Sequence, residues 1–248
     1  MITLFGLRIQ TGEYMVLVEG LIRAGKTSNS TMYCFLNSHM LYEHHKTGVL
    51  KEALNAEQTV LLPDGMPVLL SLKWLQGEVS DRIAGNDVMF SLIDKAAEQG
   101  LKVFLLGGRP EVLNTISGKL NTRQVQHQTY SPPFAPIEQF DFESQATIIN
   151  RFNPDIILVG LGCPKQELWM YEMREKVKAP MFGVGGAFAL YAGLDTRAPS
   201  WMRNLSLEWL YRLSLEPGRL WKRYLVTNSY FIFLFLREFW RVRIRGNQ

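Results

Sequence analysis

One carboxylate stands where catalysis could use it: Asp64, in the sequence Leu61-Leu-Pro-Asp-Gly65. The apolar residues before it predict a buried strand, and the proline and glycine beside it predict a tight turn at the strand end. A carboxylate held there can act as a general base that takes a proton from an attacking hydroxyl group. The same residue could instead only stabilise the turn or cap the next helix, and these few residues alone favour that structural role.

A second polar residue, Asn37, closes the strand-like segment Met-Tyr-Cys-Phe-Leu. A carboxamide at a strand end can hydrogen-bond a hydroxyl or amide group of a ligand, so Asn37 is a candidate binding residue. His39 follows closely, but a single histidine near a helix start is more often structural than catalytic. His44 and His45 have no carboxylate or cysteine partner in a ligand pattern, and we therefore predict no metal site.

Three glycine-rich turns follow strand-like segments, at residues 106–110, 160–167 and 183–186. Glycine lets the backbone come close to a ligand, and a helix that starts directly after such a turn points its positive end at that ligand. Any one turn could serve close packing alone, but three at one sheet edge favour a shared cleft for an anionic, nucleotide-like ligand. The candidate binding residues in these turns are Gly107, Gly108, Lys165, Gln166, Glu167, Gly185 and Gly186.

The segment Gly20-Leu-Ile-Arg-Ala-Gly-Lys-Thr27 matches the phosphate-loop pattern of nucleotide hydrolases letter for letter. That loop needs a strand before it and a helix that begins at its lysine. Here apolar residues recur at helical spacing before the motif, and poor helix formers follow Lys26. The context argues against a phosphate loop, which stays an alternative: a hydrolase in which Asp64 is the magnesium-binding aspartate.

The elements that must position these residues follow an alternating pattern up to about residue 195, with strand-like runs between segments of helical period. We predict an α/β core over residues 1–196, with a mainly parallel, Rossmann-like sheet and helices on both faces. The clearest helix covers residues 87–99, and ligands in such sheets bind at the carboxyl ends of the strands. The predicted strands cover residues 2–9, 31–37, 59–63, 102–106, 125–129, 155–160 and 180–184.

The composition is that of a globular protein, with 47% hydrophobic and 20% charged residues, which argues against a disordered chain. The two cysteines, Cys34 and Cys163, lie in unrelated contexts, so neither a disulfide framework nor a zinc site is predicted. The first residues contain no basic region followed by an apolar block, which argues against a secretory signal. A reducing, cytosolic location fits these features best.

The residues after 196 show a helix-only pattern, and we predict a C-terminal helical appendage over residues 197–248. Residues 219–248 contain seven Lys or Arg and one acid, so this tail carries +6, and the remainder carries −2 of the net charge of +4. The apolar run 230–236 is shorter than the roughly 20 residues that span a bilayer. Flanked by arginine and lysine, it favours a helix in the interface of an anionic membrane. Packing on the protein, or in a homo-oligomer, is the alternative.

Seven motifs, in order along nearly the entire chain, closely resemble those of the WecG/TagA/CpsF family of glycosyltransferases. Gly162-Cys-Pro-Lys-Gln-Glu167 and Leu207-Glu-Trp-Leu-Tyr-Arg-Leu213 are the most specific of them. The resemblance implies an inverting, metal-independent enzyme of the GT-E fold. It implies transfer of a sugar from a UDP-sugar to a polyprenyl-diphosphate-linked acceptor for cell-surface polysaccharide, by a peripheral protein at the cytoplasmic face of the membrane. The other motifs are Pro63-Asp-Gly65, Arg82-Ile-Ala-Gly-Asn-Asp87, Leu106-Gly-Gly108, Gly183-Val-Gly-Gly186 and Arg197-Ala-Pro199.

The resemblance also implies roles for single residues. Asp64 matches the proposed general base of the family, and Asn37 and Gln166 match polar residues of its cleft. Arg212 and Arg219 match appendage arginines that are thought to close over the donor diphosphate, where guanidinium can offset the charge of leaving UDP without a metal. We expect no cofactor and no nucleic-acid partner. The remaining candidate binding residues are Arg82, Asp87 and Lys222.

Two positions depart from the teichoic-acid branch of the family. Phe35 stands where those members have a threonine, and the missing hydroxyl argues against copying their N-acetylmannosamine specificity. Lys222, near where that branch has an arginine, keeps the charge but lacks the bidentate fork. Beside the transferase and the phosphate-loop hydrolase, a non-catalytic scaffold at the membrane surface is a third interpretation.

Overall fold

The computed structural model describes residues 1–25, 30–199, 201–202 and 207–245, with the backbone alone at residues 24, 25, 219 and 243–245. Within these ranges, eight strands form one sheet in the order β1-β2-β4-β3-β8-β7-β5-β6. β1 and β2 pair antiparallel, and the other neighbours pair parallel. The strands are β1 (Ile2–Leu4), β2 (Leu7–Ile9), β3 (Met32–Leu36), β4 (Thr59–Pro63), β5 (Val103–Gly107), β6 (His127–Tyr130), β7 (Ile156–Gly160) and β8 (Met181–Gly183).

Helices occupy most of the connections between the strands and the whole C-terminal part of the described chain. They are α1 (Tyr14–Gly25), α2 (Ser38–Lys46), α3 (Gly48–Asn55), α4 (Met66–Gln76), α5 (Gly85–Gln99), α6 (Pro110–Thr122), α7 (Phe142–Phe152), α8 (Lys165–Met173), α9 (Ala187–Ala192), α10 (Glu208–Leu215) and α11 (Pro217–Arg245). A short 3-10 helix, Ile137–Gln139, precedes α7. This arrangement confirms the predicted α/β fold with a mainly parallel sheet.

The single strand predicted for residues 2–9 is wrong, because the chain folds back within it. Phe5 and Gly6 both have positive φ, 53° and 79°, and form a two-residue turn between the antiparallel β1 and β2. Glycine adopts this conformation readily, but phenylalanine rarely does. A phenylalanine in the sequence therefore does not predict a turn. β6 also begins two residues later than predicted, at His127.

Two hydrophobic cores lie on opposite faces of the sheet. Along β3, Met32 and Cys34 belong to one core and Tyr33 and Phe35 to the other, as the alternation of side chains in a strand requires. Residues of α2, α3, α4, α7, α8 and α11 cover the first face, and residues of α1, α5, α6 and α9 cover the second. A sheet covered on both faces explains why its strands read as nearly continuous apolar runs.

The tail helix α11 packs on the first face and divides the apolar run 230–236 between protein and surface. Phe231 and Leu234 are buried in the core, and the ring of Phe231 meets that of Phe5 at 5.6 Å. Ile232 and Phe233, exposed by 57% and 58%, project outward instead. Among the described residues, no helix is both long and apolar enough to cross a membrane.

The phosphate-loop alternative fails on the geometry of α1. A phosphate loop is an open loop between a strand and a helix, so that its backbone N–H groups face the phosphates. Residues 20–25 of the motif instead form the last turns of α1, where backbone N–H groups bond within the helix. Lys26 and Thr27 lie outside the described residues.

Candidate active site

Four neighbouring strands end at one edge of the sheet and open a cleft of about 790 Å³ there. β4 leads into Asp64, β3 into Asn37, β7 into the turn before Gln166 and β8 into the turn with Gly185. Because β4, β3, β8 and β7 are consecutive in the sheet, these four turns meet side by side. The cleft therefore gathers these predicted site residues: Asn37, Asp64, Arg82, Gln166, Gly185, Gly186 and Arg212.

Backbone hydrogen bonds fix Asp64 at the floor of the cleft. Its N–H donates to the carbonyl of Leu36 at 2.9 Å, which extends the pairing of β3 and β4 by one step. Gly65 follows with a φ of 98°, which favours glycine, and α4 begins directly after it. The carboxylate thus leaves the sheet edge at a fixed position, with 20% of the side chain exposed.

A chain of ion pairs links Asp64 to the C-terminal helices. Arg82 donates from Nε to Asp64 Oδ1 at 3.0 Å and from Nη1 to Glu208 Oε2 at 3.2 Å. Arg212 donates from Nη2 to the other oxygen, Oε1, of Glu208 at 3.1 Å. Within the described part of the chain, Oδ2 of Asp64 accepts no hydrogen bond, so one oxygen is held and the other is available to a substrate.

Glu208 is the site residue that sequence reasoning missed. It is 9% exposed, it lines the cleft, and it joins the two arginines that face it. A signal was present in the motif 207–213, where Glu208 and Arg212 stand four residues apart, the spacing of ion pairs along a helix. What the sequence could not give is the approach of α10 to Arg82, which lies 126 positions earlier.

The two carboxylates of this chain of ion pairs have pKa values that are shifted in opposite directions. Burial raises the pKa of Asp64 above its ordinary value, and the nearby Arg82 offsets only part of that effect. Burial also acts to raise the pKa of Glu208, but Arg82 and Arg212 outweigh it, and the pKa is lowered. Asp64 is therefore the more basic carboxylate, the one suited to take a proton, and Glu208 stays ionised between its two arginines.

Gln166 and Glu167 lie together at the start of α8, one at the cleft and one beneath it. The Gln166 amide nitrogen donates to Glu167 Oε1 and to the Gly183 carbonyl, both at 2.8 Å, and its oxygen accepts from the Gly162 N–H at 3.2 Å. Glu167 is fully buried, and burial raises its pKa to about 7. Gln166 can therefore offer a ligand its carbonyl oxygen, whereas Glu167 orients Gln166 and does not line the cleft.

Asn37 and Phe35 form the part of the cleft that follows β3. Oδ1 of Asn37 caps α2 by accepting from the N–H groups of His39 and Met40, each at 3.0 Å. Nδ2 donates one N–H to the Phe35 carbonyl at 3.4 Å, which leaves its second N–H for a ligand. Phe35 also lines the cleft, and a Cβ built on Gly85 would lie 3.0 Å from its ring. The phenylalanine thus fills the space that the glycine at the start of α5 leaves open.

The structure does not bring six of the predicted site residues into the cleft. Asp87 pairs with Arg197, and Lys165 donates to the Ala135 carbonyl. Gly107 ends β5 and Gly108 follows it, and β5 lies beyond β7, outside the four strands of the cleft. Two of the three predicted glycine-rich turns therefore line this cleft, and a binding role for Gly107 and Gly108 stays a prediction. The residues outside its lining are Asp87, Gly107, Gly108, Lys165, Glu167 and, on α11, Lys222.

Gly107 serves close packing, and its substitution tests that role. A Cβ there would lie 2.7 Å from the backbone carbonyl of Gly160, at a φ of 103°. Gly107→Ala is expected to lower the free energy of unfolding by about 2–5 kcal/mol. Gly118→Ala, on the open side of α6, has nothing within 4 Å and should be neutral or raise that free energy by up to about 1 kcal/mol.

Chemical denaturation of both glycine variants measures these changes in the free energy of unfolding. A Gly107→Ala protein as stable as wild type that no longer bound UDP would contradict the packing role and return Gly107 to the binding site.

Residues 2–245 match the model of the glycosyl transferase WecG/TagA/CpsF family. The chain belongs to this family. A curated relative from Bacillus subtilis (strain 168), N-acetylglucosaminyldiphosphoundecaprenol N-acetyl-beta-D-mannosaminyltransferase, is 36% identical over 173 residues. That match covers 68% of this chain and 66% of the relative, so the chain spans just under two thirds of the length of the relative.

In this member of the WecG/TagA/CpsF family, the basic residues of α11 differ in how they lie relative to the cleft. Lys222 is exposed, lies over the ring of Trp221 at 5.5 Å and does not line the cleft. The next residue, Arg223, does line it. The side chain of Arg219 lies outside the described part of the structure, so its predicted role at the donor diphosphate stays a prediction.

Proposed function

We propose that this chain transfers a sugar from a UDP-sugar to a hydroxyl group of a polyprenyl-diphosphate-linked sugar. The observation that carries the proposal is the carboxylate of Asp64, which has one oxygen fixed by Arg82 and the other open to a cleft. A general base needs this arrangement, because its orientation must be set while one oxygen stays free to receive the proton. Membership of a glycosyltransferase family supports the same chemistry.

The proposed reaction is a single displacement. Asp64 accepts the proton of the acceptor hydroxyl as its oxygen forms a bond to the anomeric carbon of the donor. The bond between that carbon and UDP breaks at the same time, UDP leaves with the electron pair, and the configuration inverts. Arg212, which lines the cleft, can offset the negative charge that grows on the diphosphate, so the proposal needs no metal.

The name of the relative suggests which sugar substrates to test first, and Phe35 is a reason to test other donor sugars as well. The name of the relative specifies transfer of N-acetyl-β-D-mannosamine to N-acetylglucosaminyl diphosphoundecaprenol, which makes that pair the first to test. Phe35 is 3% exposed and presents a ring, not a hydroxyl, to the cleft. A ring cannot accept or donate the hydrogen bonds of a sugar hydroxyl, so other UDP-N-acetylhexosamines are compared beside it.

The outer side of α11 supports peripheral attachment to an anionic membrane. Phe233 and Leu236, exposed by 58% and 49%, share the helix with the exposed Arg237 and Arg241. Apolar side chains beside arginines suit the interface of a bilayer with anionic headgroups. Sedimentation with anionic liposomes tests this role, and a protein that stayed in the supernatant would contradict it.

A screen of UDP-sugars by thermal unfolding tests the proposed function against a non-catalytic scaffold. At a concentration of one hundred times Kd, a ligand of the folded state raises stability by about 2.7 kcal/mol. We expect UDP and at least one UDP-N-acetylhexosamine to raise the Tm by several degrees, also in EDTA. Arg212→Ala should reduce this shift, whereas Arg151→Ala, at an exposed site on α7, should keep it. No shift with any UDP-sugar would favour the scaffold.

A further inference from the structure

The cleft continues from Asp64 into a groove between α4 and α11. α4 begins two residues after Asp64, and Leu70 and Trp74 of this helix line the groove. Phe231 and Phe235 line it from α11. The ring centroids of Trp74 and Phe235 are 5.9 Å apart, so the two helices meet at the far end of the groove.

The chemistry of the lining changes along the groove. Arg223, Thr227 and Asn228 line its beginning, and Ile232 and Phe235 line its end. At a rise of about 1.5 Å per residue, the twelve steps along the chain from Arg223 to Phe235 cover roughly 18 Å of helix. The groove thus runs from the sugar-binding part of the cleft past a cation to an apolar end.

The described residues leave a polar atom without a hydrogen-bond partner at one end of the groove and apolar side chains exposed at the other. Nε of Arg223 is buried without a hydrogen-bond partner, and among the described residues no carboxylate pairs with this guanidinium. At the other end, Trp74 is 62% exposed and Ile232 is 57% exposed. A buried guanidinium nitrogen without a partner and exposed apolar side chains on one continuous surface mark a binding site for an amphipathic ligand.

We propose that this groove binds the isoprenoid chain of the lipid-linked acceptor, with its diphosphate at Arg223. The inference rests on the proposed function. The order of groups along the groove, carboxylate, guanidinium and apolar side chains, is the order of hydroxyl-bearing sugar, diphosphate and hydrocarbon along such an acceptor. The groove holds the chain segment next to the diphosphate and leads the rest of the chain to the outer side of α11.

A slender chain suits the groove better than a second copy of this protein. The groove is continuous with the cleft, so a protein surface seated on it would also cover the place where a donor sugar must enter. An isoprenoid chain lying along α4 and α11 leaves that place open. The occupant therefore has to be narrow, apolar and joined to an anion.

The first test compares two acceptors in detergent-free solution without vesicles: N-acetylglucosaminyl diphosphate with one isoprene unit and with three. Wild type should use the longer one with a kcat/KM higher by roughly tenfold or more, because apolar surface leaves water in the groove. Trp74→Ala should remove most of this preference. Trp240→Ala, which removes a tryptophan of similar exposure, 59%, from α11 outside the cleft, should keep it.

The second test measures binding and needs no transfer. In calorimetry, wild type should bind farnesyl diphosphate at least about tenfold more tightly than inorganic diphosphate, and Trp74→Ala should narrow this difference. Arg223→Gln should weaken both ligands by a similar factor, because the change acts on the shared diphosphate. If the farnesyl preference is retained but no sugar transfer is detected, the proposed function is contradicted, and isoprenoid binding in the groove is still supported.

Three results would contradict isoprenoid binding in the groove. One is a chain-length preference that survives in Trp74→Ala, and another is an equal loss in both tryptophan variants, which would point to a general effect of the tail. The third is a wild-type dimer, seen by sedimentation, that Trp74→Ala converts to a monomer, because the occupant would then be a second copy. Circular dichroism melts confirm that each variant is folded.

Discussion

Replacement of Asp64 by Asn is expected to lower kcat/KM for sugar transfer by about 10²–10⁴-fold. The amide keeps the size of the carboxylate, and its oxygen can still accept the 3.0 Å hydrogen bond from Nε of Arg82. It cannot take the proton of the acceptor hydroxyl. The loss should therefore fall on kcat, with the affinity for UDP little changed, and initial rates at saturating donor measure it.

The same substitution should leave the fold intact or stabilise it. The pKa of Asp64 is raised in the folded state, chiefly by burial, so the folded protein holds this proton more tightly than the unfolded chain. Stability then falls as pH rises from the pKa of the unfolded chain through the raised pKa of the folded protein. The amide in Asp64→Asn carries no charge to bury, so the Tm of the variant at pH 7 should equal or exceed that of wild type.

A surface pair provides the matched control for this experiment. Asp94 accepts from Arg123 at 2.7 Å, and its side chain is 57% exposed. Asp94→Asn also removes an aspartate from an arginine, but it should change neither rate nor stability appreciably. A folded Asp64→Asn protein with near-wild-type transfer would show that another group is the base.

The second large effect is expected at Arg82, which holds two carboxylates with one fork. Arg82→Gln should lower kcat/KM at pH 7 by roughly 10²-fold, since charge-assisted hydrogen bonds to Asp64 and Glu208 are both lost. Arg82→Lys retains the charge but cannot reach both carboxylates in the same geometry, so its loss should be smaller. Steady-state kinetics of the two variants make the comparison.

The pH profile of Arg82→Gln separates an electrostatic role from simple loss of packing. Asp64 acts as a base only when ionised, so activity falls as pH drops through its pKa. Arg82 holds that pKa down against burial and against the charge of Glu208, and its removal raises the pKa further. The acidic limb of the profile should therefore move to higher pH in Arg82→Gln. A limb at the wild-type position would contradict the role of Arg82.

The main features of the fold could be predicted from the sequence, because each depends on local pattern. Continuous apolar runs indicated the buried parallel strands, and the helix at residues 87–99 was recovered as α5 (Gly85–Gln99). The hairpin at Phe5 and Gly6 was not predicted, since its signal is a positive φ at a phenylalanine. Local residue preferences carry no such signal.

Site residues could be predicted only where their position follows from the end of a strand. Asp64, Asn37 and Gln166 follow strands, and parallel strands bring their ends to one edge. The order of the strands in the sheet is not a local property, and it is this order that places Gly107 outside the cleft. The contact of Glu208 with Arg82 depends on how α10 meets the core, which the sequence pattern does not encode.

Sugar transfer between defined substrates tests whether this chain is an inverting glycosyltransferase with Asp64 as its general base. Wild-type protein is incubated with a UDP-N-acetylhexosamine and N-acetylglucosaminyl diphosphate on an isoprenoid chain, and the product is examined by mass spectrometry and by NMR of its new glycosidic bond. We expect an acceptor one sugar longer, of inverted anomeric configuration, formed in EDTA and not formed by Asp64→Asn. Retained configuration, or product formation that persists in Asp64→Asn, would contradict this expectation.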